Sequence, residues 1–297
     1  MTTILEGRYR LVEQLGKGGF GAVWLAYDER LGGLCAVKQS HLGRPEMAEI
    51  LESEASLLSN LNHPGLPRTR DHFVDADCAY LIMDYVEGGD LAALLANEPR
   101  GVDPARVVAW ISALSDAVQY LHSLPEPILH RDIKPSNVKL TPDGRVVLLD
   151  FGIAREATAA TIGLRHAITP GYSPPEQYRG IAEPRSDVYG LAATAYALLT
   201  GKAPTPAHAR LAGEALPPPS AVRAKVPREL DAPIMQALDL EPANRPSSST
   251  LFSSALSAAL KSARPVAAAA PRPARSGAGR CHRHSSHRSA RGHRARR

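Results

Sequence analysis

Hydrophobic and polar positions fall into two regimes along the chain. Between residues 9 and 86, short β-like runs recur: Tyr9–Leu15, Val23–Tyr27, Leu34–Lys38, Phe73–Val74 and Tyr80–Tyr85. One helical stretch, about Glu46–Leu61, interrupts them. Its apolar face carries Met47, Ile50, Leu51, Leu57, Leu58 and Leu61 at helical spacing. From residue 90 to 260 the periodicity is mostly helical. Asp103-Pro104 reads as a cap and first-turn proline, and Val107, Ile111, Leu114, Val118 and Leu121 then share one face. Ser186-Asp187 opens another predicted helix that stops before Gly201, and the proline-rich stretch Pro204–Pro227 reads as a structured loop. The pattern predicts an α+β, bilobal architecture: a small β-rich lobe over residues 1–84 with one helix, and a larger helical lobe over residues 85–261.

Charge divides the chain again. The net charge of +5 is an average of unlike parts. Residues 262–297 hold ten arginines and no acids, which leaves 25 basic against 30 acidic groups in residues 1–261, a net of −5. The basic tail is rich in Ala, Pro, Ser, Gly and His and has too little apolar surface to offset its ordering entropy, so it is expected to be disordered. It could contact nucleic acid or anionic lipid through its arginines, or be a solvated tail with no partner. The 297 residues and 44% hydrophobic content allow a sizeable core and exclude disulfide-scaffold, collagen-like and coiled-coil classes. Three cysteines at positions 35, 78 and 281 show neither pairing nor metal spacing, which points to a reducing, cytoplasmic setting. There is no 18-residue apolar run, so no membrane span is expected. Met1–Gly7 lacks the apolar core of a signal peptide.

Candidate chemistry begins at Gly16-Lys17-Gly18-Gly19-Phe20-Gly21. Three glycines in G-x-G-x-x-G order also occur in dinucleotide folds, but there the third opens a helix. Here the loop runs into the β-like Val23–Tyr27. A glycine loop between antiparallel strands can bring backbone amides close to phosphates; a plain glycine hairpin is the alternative. Lys38 ends the following strand. Glu54 falls on the apolar face of the 46–61 helix, where a carboxylate needs a cationic partner. Lys38 is the expected partner, unless Glu54 is partly exposed.

The densest motif is His130-Arg131-Asp132-Ile133-Lys134-Pro135-Ser136-Asn137, followed by Asp150-Phe151-Gly152. With these motifs the sequence, from about Tyr9 to Leu260, resembles the protein kinase superfamily, specifically the bacterial eukaryotic-like Ser/Thr kinases. The resemblance implies a Ser/Thr protein kinase that uses ATP and Mg²⁺, or Mn²⁺, to phosphorylate protein substrates. Asp132 would orient the acceptor hydroxyl and take its proton, Lys134 would neutralise the moving phosphoryl group, and Asn137 and Asp150 would supply metal oxygens. Lys38, aligned by Glu54, would hold the inner phosphates. The nucleotide would lie against Leu15, the glycine loop, Val23 and Ala36. Met83 takes the gatekeeper position, with backbone groups of Asp84 and Val86 on the adenine edge.

The same resemblance assigns Ser173-Pro174-Pro175-Glu176 to the end of an activation segment. Glu176 should pair with Arg245, Asp187 should brace the catalytic loop, and Thr169 should sit near Asp132 and Lys134. Ile168 stands where the family usually has glycine. Arg131 would meet a phosphorylated Thr158 or Thr161, autophosphorylated by the chain itself; otherwise these threonines are plain polar loop residues. A transient homodimer is compatible with the pattern. A pseudokinase or scaffold, or a nucleic-acid-associated regulator acting through the tail, is the alternative function. The complete set Lys38, Glu54, Asp132, Asn137 and Asp150 argues against the first of these.

Overall fold

The computed structural model describes residues 3–18, 21–42, 55–56, 58–150 and 168–263. Glu54, Gly19, Phe20, Phe151, Thr158, Thr161 and the tail beyond 263 lie outside the described residues. The chain opens with a six-stranded antiparallel sheet: β1 (Ile4–Leu5), β2 (Tyr9–Gly18), β3 (Gly21–Asp28), β4 (Leu34–His41), β5 (Thr69–Asp75) and β6 (Cys78–Asp84). Its order is β1-β2-β3-β4-β6-β5. Every strand read from the sequence is present, and most run longer than the apolar runs alone suggest. Ladder hydrogen bonds carry them into flanking polar residues.

In this sheet Ala36 faces Met83 across the β4–β6 pair, and Lys38 lies between Val23 and Leu81. The β2–β3 hairpin closes on Gly18 opposite Gly21. A Cβ on Gly21 would sit 1.8 Å from the Gln39 carbonyl oxygen, so glycine is required where the hairpin crosses β4. Leu5, Tyr9, Ala26, Cys35, Val37, Tyr80 and Ile82 form the core of the sheet. Beside that core, Arg8 makes a bidentate pair with the buried Asp28 at 2.8 and 2.9 Å. The guanidinium holds the Asp28 carboxyl well below the usual range, against the opposing effect of burial.

A second sheet, β7 (Gly89–Asp90), β8 (Val138–Leu140) and β9 (Val146–Leu148), frames the motif-bearing loop. Around it lie α1 (Leu91–Asn97), α2 (Pro104–His122), α3 (Pro184–Thr200), α4 (Ala207–Leu211), α5 (Pro219–Val222), α6 (Asp231–Ala237) and α7 (Ser249–Ser262). Asp103 caps α2 by accepting from the N–H groups of Ala105 and Arg106. Its predicted stripe, Val107, Ile111, Leu114, Val118 and Leu121, is almost wholly buried. Truncating one of those side chains to alanine should cost about 2–5 kcal/mol. Helix α3 begins at Pro184, two residues before the predicted Ser186. Glu183 and Ser186 form a reciprocal cap there. The helix ends at Gly201 in the left-handed region (φ 77°). The Pro204–Pro227 stretch is not all loop: α4 and α5 are short helices within it. Leu58, Leu61 and Leu66, which precede residue 84, belong to the hydrophobic cluster of the helical part.

Candidate active site

The loop from His130 to Asn137 is held by buried groups on two helices. Asp187, on α3, accepts from the backbone N–H of His130 at 2.9 Å and of Arg131 at 2.7 Å. His122, on α2, places Nε2 2.8 Å from the same carboxylate. Burial alone would raise the Asp187 pKa. The His122 hydrogen bond, the neighbouring imidazoles and the Arg131 N–H outweigh it, and the net shift is downward. His130 is fully buried, and burial pushes its imidazole pKa down. Its partners fix the tautomer: Nε2–H donates to the Leu149 carbonyl at 3.0 Å, and Nδ1 faces the Asp132 N–H at 3.4 Å.

Asp132 is 5% exposed, and donors converge on its carboxylate. Thr169 Oγ1 donates to Oδ1 at 2.9 Å. Lys134 Nζ lies 2.8 Å from Oδ2, and Asn137 Nδ2 donates to Oδ2 at 2.9 Å and to the Asp132 carbonyl at 2.7 Å. Lys134 also donates to Thr169 Oγ1 at 3.0 Å. Asp132, Lys134, Asn137 and Thr169 thus form one connected cluster, as the sequence motif leads one to expect. The 3-10 turn Pro135–Asn137 carries Asn137 back toward Asp132.

A second group faces the sheet. Lys38 Nζ is 3.7 Å from Asp150 Oδ1, with the two side chains 22% and 43% exposed. At that length and exposure the pair contributes about 1 kcal/mol or less. Asp150 has φ 56°, a left-handed conformation uncommon for a non-glycine residue, which turns the chain sharply after β9. Lys38, Leu58, Pro67, Thr69, Leu81, Met83 and Asp150 line a cavity behind the β4–β6 pair. Ala36 is buried and Leu15 is 45% exposed; neither is among the residues that line this cavity. The N–H of Asp84 is taken by the Arg68 carbonyl at 2.9 Å, and its side chain accepts from Arg70 at 2.7 Å.

Glu176 and Arg245 meet through two bonds, Nη1 to Oε1 at 2.7 Å and Nη2 to Oε2 at 3.0 Å. Ser186 Oγ adds a third bond to Glu176. Burial works against the Glu176 charge, but Arg245 prevails and its pKa falls below the ordinary value. Sequence reasoning had not found His122, and it named Ser173 only as part of the Ser173–Glu176 segment, without the contact in which its Oγ accepts the Thr169 N–H at 3.0 Å. It also missed Gln177, whose amide donates to the Arg131 carbonyl at 2.7 Å. No local pattern marks them, because each acts on backbone or on a residue far away in sequence.

Among the described residues, no cluster of three or more His, Cys, Asp or Glu side chains could hold a metal ion. Asn137 spends its amide nitrogen on Asp132, and the oxygen at the other end of that amide is a hard donor. The Asp150 carboxylate is a hard oxygen donor too, and Mg²⁺ typically takes one or two such protein ligands while phosphate and water oxygens complete its shell. The donor set fits a hard divalent ion bound together with a nucleotide.

Residues 9–256 match the family model of the protein kinase domain. The chain belongs to the protein kinase family, whose members use ATP and a divalent metal. It is similar to the serine/threonine-protein kinase PknA of Mycobacterium tuberculosis, 36% identical over 67% of this chain and 48% of the relative. It is also similar to Pkn1 of Myxococcus xanthus, 35% identical over 90% of this chain and 40% of the relative. The chain thus spans about half or less of the length of these curated relatives. A solved double mutant of the M. tuberculosis PknI kinase domain superposes with a TM-score of 0.72 at 28% identity, covering 87% of this chain and 98% of that one. The apo form of PpkA-294 gives 0.74 at 27% identity, covering 86% and 100%. Both support the bilobal kinase fold. No helix among the described residues is long and apolar enough to cross a membrane.

Proposed function

We propose that the chain is a Ser/Thr protein kinase that transfers the γ-phosphoryl group of ATP to hydroxyls of protein substrates. The observation that carries this reading is the convergence of Lys134, Asn137 and Thr169 on the buried Asp132 carboxylate. Such a carboxylate can orient a substrate hydroxyl and accept its proton as that oxygen bonds to phosphorus and ADP departs. Lys134, 2.8 Å from Asp132, can neutralise charge on the moving phosphoryl group. Thr169 spans Asp132 and Lys134 and can seat the acceptor chain. Lys38 holds the inner phosphates. Asn137 Oδ1 and the Asp150 carboxylate would hold Mg²⁺, or Mn²⁺ in its place, which would supply neutralisation of the phosphate oxygens. The Asp84 carbonyl and the Val86 backbone meet the adenine edge, below the glycine loop.

Lys134, two residues after Asp132, favours Ser/Thr over Tyr as acceptor by resemblance to the family. The described cysteines, Cys35 and Cys78, are free thiols, which suits a reducing compartment such as the cytoplasm. The test is labelled ATP with a basic protein acceptor, comparing wild type with Asp132→Asn and Lys38→Met. Strong transfer in the wild type alone supports the assignment. Equal transfer in all three would remove it.

A further inference from the structure

One contact links the segment that seats the substrate to the loop that carries Asp132. Gln177 is 9% exposed, and its Nε2 donates to the Arg131 carbonyl at 2.7 Å. That oxygen belongs to the peptide unit joining Arg131 to Asp132. The other end of the same unit, the Asp132 N–H, faces His130 Nδ1 at 3.4 Å. A peptide unit is planar. Anchoring its oxygen and its N–H therefore fixes the direction in which the Asp132 Cα, and with it the carboxylate, leaves the plane.

The preceding residue is constrained as well. Arg131 has φ 66°, a left-handed conformation that a long side chain adopts only where the surroundings impose it. Asp187 anchors its N–H at 2.7 Å, while Gln177 holds its carbonyl. Gln177 is in turn placed from outside the loop. It lies in the 3-10 turn Pro175–Arg179, and its neighbour Glu176 is locked to Arg245. A continuous path therefore runs from Arg245 through the Glu176 turn to Gln177, the Arg131 carbonyl and the aim of Asp132.

We propose that Gln177 is a positioning residue for phosphoryl transfer, one that couples the seating of the Pro175–Arg179 turn to the orientation of Asp132. This inference rests on the kinase reading above. It is distinct from a space-filling role, because it requires a hydrogen-bond donor at residue 177 rather than bulk.

Two substitutions separate those roles. Gln177→Leu keeps the bulk and loses the donor. Gln177→Glu keeps the shape and replaces the donor with a carboxylate facing a carbonyl oxygen, which raises the carboxyl pKa and lets the protonated form donate. Phosphotransfer to a basic protein acceptor is measured over a range of ATP concentrations up to saturation. Gln177→Leu should lower kcat by about tenfold or more, with the KM for ATP nearly unchanged, as misaimed catalytic groups do. The ratio of Gln177→Glu to wild-type kcat should rise as pH is lowered from about 8 to about 6, while the Gln177→Leu ratio stays flat. Wild-type kcat in Gln177→Leu would overturn the proposal, as would a pH-independent ratio for Gln177→Glu. If Gln177→Leu fails to fold, the Gln177→Glu ratio still decides. A wild type that transfers no phosphate would remove the kinase reading alone. The clamp is then read by hydrogen exchange at the Arg131 and Asp132 amides: faster exchange in Gln177→Leu supports it, and unchanged exchange overturns it.

Discussion

The two halves of the candidate active site are built in opposite ways. Around Asp132, bonds of 2.7–3.0 Å from Lys134, Asn137 and Thr169 converge in a buried setting, and Asp187 holds the backbone beneath. Across from it, Lys38 and Asp150 are tied by one 3.7 Å pair whose members are partly open to water. A buried and fully partnered carboxylate is fixed before any substrate arrives. A half-exposed cation and anion can exchange their weak mutual contact for phosphate and metal at little cost. The difference assigns rigidity to the side proposed to accept the proton and adaptability to the side proposed to hold the nucleotide.

Substitutions should divide along this line. The largest effect is expected from Asp132→Asn, which removes the proton acceptor but keeps the shape. Phosphotransfer should fall by about 10²–10⁴-fold, with the thermal midpoint near that of wild type. Next comes the Glu176–Arg245 pair, which underlies the rigid side. Arg245→Met leaves a buried carboxylate without its cation, held only by Ser186 Oγ, and denaturant titration should show a loss of about 3–5 kcal/mol. That loss should depend on pH. The Glu176 pKa is lowered in the fold, so its contribution is present above the ordinary carboxylate pKa and disappears as pH falls through the lowered value. Wild type and Glu176→Gln should therefore converge in stability toward acid. Convergence toward alkali instead would contradict the placement of the charge.

On the adaptable side, Lys38→Met should change stability by less than about 1 kcal/mol, while its phosphotransfer drops steeply. A large loss of stability would show that Lys38 belongs to the scaffold, and the comparison would fail. The smallest effect is expected far from both halves. Asp103→Ala removes the α2 cap and should cost about 1 kcal/mol, with kcat unchanged. Removing residues 264–297 should leave phosphotransfer to a generic acceptor unaltered; a reduced rate would give the arginine-rich tail a role in it.

Much of this was legible before any coordinates. The sheet strands and the buried stripe of α2 follow from periodicity, while the Glu176–Arg245 pair, the Asp187 brace and the placing of Thr169 near Asp132 and Lys134 follow only from the family resemblance. What escaped has physical causes. Helix α3 starts two residues early because Glu183 and Pro184, not Ser186, begin it. Short helices α4 and α5 lie in a proline-rich stretch, where proline suits a first turn as well as a loop. His122 and Gln177 act through an imidazole and an amide on groups distant in sequence, and no spacing rule announces such a contact. The Asp84 N–H is claimed by Arg68, a pairing set by strand register rather than by the hinge sequence.

The most direct trial of the division is nucleotide binding and single-turnover transfer measured on the same Asp132→Asn protein. ATP affinity within about twofold of wild type, with transfer nearly abolished, is the expected result. Transfer at the wild-type rate, or a loss of ATP binding as large as the loss of transfer, would contradict it.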